Sequence, residues 1–183
     1  ANNRWLDQLQ RRVLAQPVSR RIAFLNAGIG GNRVLDDGSY ASGSNALARF
    51  DADVLGQAGA THVVIAEGLN DIGGARQSPT PTAEDIIAGH RQLIQRARSK
   101  GLKVIGATLT PFWGALYYSD VGEAKRQAFN NWVRSSGEYD AIVDFDLAVR
   151  DLIDPRKMRA EFDSCDHLHP NEAGYRAMAG AFD

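Results

Sequence analysis

Cysteine is nearly absent from this sequence, with Cys165 as the single example among 183 residues. One thiol cannot form a disulfide within the chain, so the redox compartment cannot be read from cysteine. We interpret Cys165 as a packing residue of its loop rather than as a reactive thiol. A chain of this length can bury a proper apolar core without disulfides or a structural metal.

Long apolar runs are absent as well, since no stretch approaches the roughly 20 residues that a membrane-spanning helix needs. No signal-peptide pattern precedes the first predicted helix. An excess of either charge is also lacking, because 21 basic and 22 acidic residues give a formal net charge of −1. Such a balance offers no field that would attract nucleic acid or an anionic bilayer. The sequence therefore predicts neither of these as a partner.

The apolar content and its periodicity predict one α/β domain over residues 1–183. Hydrophobic residues make up 44% of the chain and charged residues 23%, which is typical of a globular protein. Helices are predicted at about 5–14, 44–55, 82–99, 122–135 and from 171 to the end, and strands at 21–26, 61–66, 103–108 and 141–145. Near-continuous apolar strands separated by helices indicate a parallel sheet covered on both faces, with ligands at the carboxyl ends of the strands.

The segment from Asp166 to Pro170 has the pattern Asp-x-x-His-Pro. One short turn can present both side chains, so that the carboxylate of Asp166 orients the imidazole of His169 as a general base. His167 is the rival base, but adjacent residues on an extended turn point to opposite sides, so spacing favours His169. The non-catalytic alternative is that His169, which precedes a proline, simply belongs to a surface turn.

A second segment, Gly68-Leu69-Asn70-Asp71, follows a predicted buried strand. An asparagine there can direct a side-chain N–H at the oxygen that becomes negative during acyl transfer, so Asn70 is the candidate oxyanion donor. Asp71 is expected to cap a turn or to bond backbone rather than to transfer protons.

A third, glycine-rich segment reads Asn26-Ala27-Gly28-Ile29-Gly30-Gly31-Asn32. It matches neither of the glycine-rich phosphate-binding patterns, so nucleotide binding is disfavoured. Its glycines could equally serve a strand-to-helix turn, and that alternative stays open for Gly28. Further along, the serines at 39, 42 and 44 lack the strand-to-elbow context of a nucleophile. We interpret them as a flexible loop in which Ser44 caps the next helix.

Together these segments resemble three of the four conserved blocks of the SGNH/GDSL hydrolase family, over roughly residues 2–179. The stretches at residues 3–5, 44–50 and 167–175 resemble the secreted lysophospholipase-like or acylhydrolase-like branch. The resemblance implies a three-layer α/β/α flavodoxin-like fold with a parallel sheet and a serine ester hydrolase activity. It also places Gly31 and Asn70 in the oxyanion hole, His169 and Asp166 in the catalytic group, and the protein outside the cytoplasm, either secreted or periplasmic.

The chain departs from that family in one block, because no Gly-Asp-Ser occurs in its 183 residues. In the family this block follows the first strand, which lies between the second and third strands of the sheet. Without that strand, two rows of backbone groups would stay unpaired, at roughly 1 to 3 kcal/mol per group. We therefore expect a segment ahead of Ala1, or a second polypeptide, to carry both strand and serine. The last predicted helix runs to the chain end, as if trimmed there.

A metal site is the other chemical interpretation of the loop that holds Asp163, Asp166, His167 and His169. A cluster confined to one loop is a poor cage, and His62 and His90 show no convergence with it. We expect neither a metal nor another cofactor.

An aromatic loop at residues 111–118 suggests where substrate binds. Trp113 and Tyr117, with Tyr118 beside them, could stack on a sugar ring or line an acyl slot, although the loop could also fold onto its own core. Short acyl esters or acylated carbohydrate are therefore the expected substrates. The competing function is a noncatalytic carbohydrate-binding or interaction module, but such a module has no need for a base held by a carboxylate.

Overall fold

A computed structural model describes residues 3–18, 22–38, 41–74 and 79–182. The chain forms two compact units, which are described separately. The terminal unit contains Ala1–Asn26, Thr110–Leu116 and Asp144–Asp183, and the sheet unit contains Ala27–Leu109 and Tyr117–Val143. The single domain expected over residues 1–183 stays a prediction. No helix in the described ranges has both the length and the apolarity that crossing a bilayer requires.

The sheet unit is built on three parallel strands in the order β1-β2-β3. Its elements along the chain are α2 (Ala46–Phe50), β1 (His62–Ile65), α3 (Leu69–Gly73), α4 (Ala83–Ser99), β2 (Lys103–Ala107), α5 (Asp120–Ser135) and β3 (Ala141–Val143). In register, His62 lies opposite Lys103, and Ile105 lies opposite Ala141. The parallel sheet predicted from the strand pattern is therefore present.

Helix α4, which joins β1 to β2, begins where the sequence predicts. The Thr82 hydroxyl accepts the Asp85 N–H, and the Asp85 carboxylate accepts the Thr82 N–H, which completes a capping box. At the other end Gly101 has φ +77°, a left-handed conformation that favours glycine after a helix. Ile86, Leu93 and Ala97 bury one face of the helix, as its apolar spacing requires.

The terminal unit is helical, with α1 (Trp5–Leu14), α6 (Phe145–Val149), a 3₁₀ turn (Ala160–Phe162) and α7 (Glu172–Gly180). Helix α1 packs on α7, and the ring of Trp5 lies 5.3 Å from that of Phe145 and stacks at 5.5 Å on that of Phe182. Asn171 caps α7 by accepting the N–H groups of Ala173 and Gly174. These contacts set the direction in which the preceding loop enters α7.

The strand predicted at 21–26 is wrong for residues 22–26, which form no strand, and Arg21 lies outside the described residues. A strand exists only when a neighbouring backbone completes its hydrogen bonds, and no described residue pairs with this segment in a sheet. Ile22 and Leu25 are accordingly 60% and 68% exposed. Apolar sequence alone therefore does not make this segment a strand.

Two helix boundaries also differ from the sequence expectation. The helix predicted at 44–55 is α-helical only over Ala46–Phe50 and continues as a π-helical turn over Asp51–Leu55, and its N-cap is Asn45 rather than Ser44. The last helix does not run to the chain end, because α7 closes at Gly180. The short helices α3 and α6 escaped prediction because five residues carry too little periodicity.

A buried ion pair on α5 holds the chain as it leaves β2. Arg126, fully buried, makes two hydrogen bonds of 2.8 and 2.7 Å to Glu123 and one of 3.0 Å to the Leu109 carbonyl. The Asn130 side chain bonds both the N–H and the C=O of Leu109. A backbone segment that cannot reach a sheet partner is thus satisfied by side chains.

We predict that Glu123→Leu lowers the free energy of unfolding by roughly 3 to 5 kcal/mol, because it removes the carboxylate that accepts two hydrogen bonds from the buried Arg126 guanidinium. Urea unfolding followed by circular dichroism measures the change. Glu172→Leu is the matched control: Glu172 pairs with Arg176 four residues later on the exposed face of α7. Its loss should cost under about 1 kcal/mol. Equal losses from the two substitutions would contradict the prediction.

Candidate active site

Asp166 and His169 meet as the sequence predicts. The Oδ2 atom of Asp166 lies 2.6 Å from Nδ1 of His169, while its Oδ1 atom accepts the N–H groups of Leu168 and His169 at 3.0 and 2.8 Å. One carboxylate oxygen is therefore fixed by backbone and the other by the imidazole. A proton on Nδ1 leaves Nε2 as the basic nitrogen, and the His169 side chain is 64% exposed. The pair has the geometry of a general base and its orienting acid.

The loop that carries this pair is tied down at both ends. Ser164 donates its N–H to the His169 carbonyl at 3.1 Å, and Asp163 forms an isolated antiparallel bridge with Pro170. The Asn171 amide donates to the carbonyls of Glu161 and Asp163. The loop is thereby closed onto itself just before α7 begins.

Asp166 is held in its charged form by its hydrogen bonds. Burial alone would raise the pKa of this carboxyl group. Hydrogen bonds from the backbone and ring of His169, from the Leu168 N–H and from the Ser164 hydroxyl outweigh that effect and hold the pKa well below its usual range. Asp166 therefore stays a carboxylate throughout the pH range in which an imidazole titrates.

The same loop contains a second pair that sequence reasoning missed. His167 was set aside because it is adjacent to Asp166, yet its Nδ1 atom lies 2.6 Å from Oδ2 of Asp163. Asp163 Oδ1 accepts the N–H groups of Cys165 and His167, each at 3.0 Å, which repeats the arrangement around Asp166. The sequence signal for this pair was Asp163, four residues before His167. Each histidine of the loop is thus held by its own carboxylate.

Two residues of the loop adopt left-handed backbone: Cys165 has φ +75° and His167 has φ +61°. Cys165 is exposed, so its interpretation as a packing residue is wrong. The His167 ring packs on Gly114, where an added Cβ would lie 2.9 Å from Cδ2 and Cγ of the ring. Across the described part of the chain, no three His, Cys, Asp or Glu side chains form a group that could hold a metal ion.

The predicted oxyanion residues lie in the sheet unit. Asn70 is in the first turn of α3, after Gly68, whose φ of +122° lets the chain turn sharply out of β1. The Asn70 amide donates to the carbonyl of Asn32 at 3.1 Å, and Gly31 directly precedes Asn32. The structure therefore brings the second and third sequence segments side by side. Gly31 has φ +75°, so glycine is also required there by backbone conformation.

Asp71 does what the sequence suggested, since it bonds backbone. Its carboxylate accepts the N–H of Val34 at 3.1 and 2.9 Å and that of Leu35 at 3.0 Å. Burial raises its pKa, although these hydrogen bonds and the Arg33 charge act in the opposite direction. Arg33 in turn donates to the carbonyls of Asn70 and Gly74. Two side chains, Asp71 and Arg33, thus join the loop after Gly31 to helix α3 and to Gly74 directly after it.

The aromatic loop is divided between the two units. Trp113, in the terminal unit, is 38% exposed, and the Lys157 ammonium lies 4.1 Å from the ring centroid. Its neighbours Phe112 and Ala115 are buried, so the loop is anchored while Trp113 stays accessible. Tyr117, in the sheet unit, packs on Gly73, and its hydroxyl lies 3.5 Å from Asn70 Oδ1. Trp113 thus stays partly accessible with Lys157 over its ring, and Tyr117 contacts a predicted oxyanion donor.

The serine loop has one unexpected feature. An added Cβ at Gly31 would lie 2.6 Å from the Ser42 hydroxyl, so this hydroxyl sits against the predicted oxyanion glycine. The Ser42 carbonyl accepts the Asn32 amide at 2.7 Å. Ser39 lies outside the described residues, and Ser44 offers its carbonyl to the same amide. Gly28 is exposed, and its two interpretations stay open.

Comparison with known proteins places these features in a family. Residues 1–177 match the profile of the GDSL-like Lipase/Acylhydrolase family. The chain belongs to this family. No curated protein sequence matches it. The family membership predicted from three sequence blocks is therefore confirmed.

Several solved structures share the fold of this chain. An acetylxylan esterase from Geobacillus stearothermophilus is 21% identical with a TM-score of 0.74, over 98% of this chain and 78% of its own. The acetyl xylan esterase AlAXEase is 19% identical with a TM-score of 0.74, over 99% and 89%. A GDSL-like lipase from Bacteroides thetaiotaomicron is 20% identical with a TM-score of 0.63, over 74% and 65%. These similarities confirm the predicted α/β fold with its parallel sheet.

A buried carboxyl group, that of Glu67 directly before Gly68, has an unusual pKa. Burial raises the pKa of Glu67 from 4.5 to about 7, against the opposing charge of Arg49 and with the help of Asp71. The distance between Arg49 Nη2 and Glu67 Oε1 is 3.6 Å. The Glu67 carbonyl contacts Nε2 of His90, and burial lowers the pKa of that ring to about 4. Glu67 and His90 thus titrate with opposite effects on stability.

We predict that Glu67 makes the protein less stable as the pH rises. Because its folded-state pKa lies above the unfolded value, the folded state keeps a proton that the unfolded state has lost between pH 4.5 and about 7. The free energy of unfolding should fall through this window, on the order of 1 to 3 kcal/mol in total. Glu67→Gln should remove this decline. His90 is present in both proteins, so the difference between their urea unfolding curves at pH 5 and pH 8 isolates Glu67. Parallel pH profiles for the two would refute the assignment.

Proposed function

We propose that this chain is the larger part of a serine ester hydrolase. During ester hydrolysis His169 removes the proton of a serine nucleophile that attacks the ester carbonyl, and Asp166 orients His169. Asn70 and the Gly31 N–H stabilise the oxyanion that this attack forms. The single observation that carries the proposal is the 2.6 Å contact of Asp166 Oδ2 with His169 Nδ1, on a carboxylate that backbone N–H groups hold in place. A binding module has no physical need for this arrangement.

The local structure around Asn70 supports its role as an electrostatic catalyst. A preorganised donor stabilises developing charge well because it does not have to reorient during the reaction. Asn70 lies in the first turn of α3, its amide is held by the Asn32 carbonyl, and Asp71 anchors the same turn. These contacts meet the requirement for a donor whose position is set before substrate arrives.

The nucleophile of the proposed enzyme lies outside these 183 residues, on a segment containing Gly-Asp-Ser. Two observations support this part of the proposal. No Gly-Asp-Ser occurs in the chain. Within the described residues, β1 pairs with β2 alone, so one edge of β1 can accept a further strand. A strand that ends in the serine, whether covalently connected or supplied by a second polypeptide, would complete both the sheet and the catalytic group.

Ser42 is the alternative nucleophile within the chain, and its hydroxyl at Gly31 is the observation that favours it. Two features argue against it. Ser42 lies in a loop rather than on a strand-to-helix elbow, and its backbone is held through its carbonyl by Asn32. A labelling experiment decides between the two sources of serine.

For substrates we propose short acyl esters or acylated carbohydrate. Trp113 offers an exposed ring suited to stacking on a sugar, and aromatic faces of this kind favour such ligands. Two of the proteins that share the fold are named acetylxylan esterases, which supports a carbohydrate ester as the substrate. At 21% and 19% identity, the similarity itself is one of fold. The competing function, a carbohydrate-binding or interaction module, would use Trp113 without the two His–Asp pairs.

We predict that hydrolysis of p-nitrophenyl acetate by the gene product, with any segment encoded upstream of Ala1 included, depends on His169. His169→Ala should lower kcat about 100-fold to 10,000-fold, since it removes a general base. His167→Ala is the matched control, because His167 has the same kind of carboxylate partner in the same loop. It should keep kcat within about tenfold of the parent. Equal activity of parent and His169→Ala would refute the enzyme proposal, and loss only in His167→Ala would move the base to His167.

The source of the serine is tested with a fluorophosphonate probe, which labels activated serines covalently. We predict that the 183-residue chain alone stays unlabelled, because the proposed nucleophile lies on the upstream segment, whereas the product with that segment is labelled there. Intact mass and peptide mapping locate the adduct. Labelling of the chain alone at Ser42, lost in Ser42→Ala and in His169→Ala, would overturn the proposed external nucleophile. Ser44→Ala serves as the control for the loop.

A further inference from the structure

We propose that Arg49 is a positioning residue for the oxyanion donor Asn70 and acts through Asn32. The inference rests on the proposed function, since it assumes that Asn70 stabilises the oxyanion. It adds a residue from the start of the sheet unit, at α2, that has no contact with the reacting atoms. The argument follows one connected set of hydrogen bonds in the sheet unit.

The Arg49 guanidinium makes an unusually complete set of contacts for a residue whose side chain is 14% exposed. Its Nε and Nη2 atoms donate to Asn32 Oδ1 at 3.0 and 2.9 Å. Its Nη1 atom donates to the Ala27 carbonyl at 2.6 Å and to Asp53 Oδ2 at 2.9 Å. Glu67 lies 3.6 Å away. Arg49 thus binds both ends of the loop that carries Gly31.

Asn32 transmits this constraint because its side chain is fully used. It is completely buried, and its amide nitrogen donates to the Ser42 and Ser44 carbonyls, each at 2.7 Å. Its amide oxygen accepts both bonds from Arg49. A buried amide with donors and acceptors all satisfied has one favourable orientation. The backbone of Asn32 is therefore held in place.

The constraint reaches Asn70 through the Asn32 carbonyl, which accepts the Asn70 Nδ2 group at 3.1 Å. An amide nitrogen carries two N–H groups, so this bond directs the second N–H along a fixed line. The Tyr117 hydroxyl, at 3.5 Å from Asn70 Oδ1, favours the same sense of the amide because a hydroxyl can donate to oxygen. Arg49 therefore sets the direction of the proposed oxyanion donor without touching it.

Lysine cannot replace Arg49 in this role. A single ammonium group cannot present the planar fork that bonds Asn32 Oδ1 twice while it also reaches the Ala27 carbonyl. Arg49→Lys therefore keeps the charge beside Asp53 and Glu67 and removes the geometry. This separates a positioning role from a merely electrostatic one.

The test measures p-nitrophenyl acetate hydrolysis by the gene product that includes the upstream segment. Arg49→Lys should lower kcat about tenfold or more, the size expected when a catalytic group is misplaced by a fraction of an ångström to 1 Å, with KM within twofold. Arg96→Lys is the matched control, because Arg96 also bonds a backbone carbonyl, of Leu47, and an aspartate, Asp51. It should leave kcat within twofold. Equal losses in both variants would overturn the inference.

A double-mutant cycle with Asn70→Ala tests whether Arg49 acts through Asn70. If it does, Arg49→Lys should cost less than twofold in kcat once Asn70 is gone, because there is no donor left to direct. An additive loss, tenfold on top of the Asn70→Ala effect, would show a general structural role and overturn the inference. If Asn70→Ala alone leaves kcat unchanged, the proposed oxyanion role of Asn70 fails, and this outcome is visible separately from any effect of Arg49.

A second readout on the 183-residue chain does not need activity. Assigned ¹⁵N–¹H₂ resonances of the Asn70 and Asn32 side chains should shift in Arg49→Lys and stay unchanged in Arg96→Lys. Urea unfolding establishes that each variant is folded under the conditions used, and if Arg49→Lys is too unstable, Asp53→Asn perturbs the same guanidinium more mildly. Unshifted Asn70 resonances in a variant whose Asn32 resonances do move would overturn the proposed path.

Discussion

The placement of the candidate catalytic residues depends, in each unit, on carboxylates that accept backbone N–H groups. Asp166 holds the loop before α7 in this way, and Asp71 holds the turn that begins α3. A carboxylate bonded to two backbone donors is fixed in position, and each donor also stabilises its charge. The side chains that we propose for catalysis are then positioned by backbone that is already fixed. His169 and Asn70 are both placed by this device.

The two His–Asp pairs of one loop show that an oriented imidazole does not by itself identify the general base. Asp163 with His167 and Asp166 with His169 have the same 2.6 Å contact and the same bonds to backbone. An oriented imidazole is therefore required for a general base but does not identify one. In this loop the second pair has an additional contact, since the His167 ring packs on Gly114, beside Trp113. It connects the histidine loop with the exposed aromatic within the terminal unit.

Arginine side chains satisfy backbone in the sheet unit where secondary structure does not. Arg33 bonds the carbonyls of Asn70 and Gly74, Arg49 bonds that of Ala27, and Arg126 bonds that of Leu109. Each guanidinium also has a carboxylate nearby, so its burial is compensated. The loops after the strands owe their shape to these planar donors. For this reason a change of arginine to lysine at such a position alters geometry while it preserves charge.

The sequence by itself determined the family, the parallel α/β fold and the Asp166–His169 pair, because these depend on sequence blocks, on periodicity and on side chains close together in the chain. It could not determine that residues 22–26 form no strand, since a strand depends on a distant partner. It also missed Asp163 with His167, the contact of Ser42 with Gly31, and Arg49, whose partners lie 17 and 22 residues away. The contacts of Ser42 and Arg49 were decided only by the tertiary structure, because residues distant in the sequence meet only once the packing of the chain has placed them within reach. The pair Asp163–His167 lies four residues apart, so the sequence contained the signal for it.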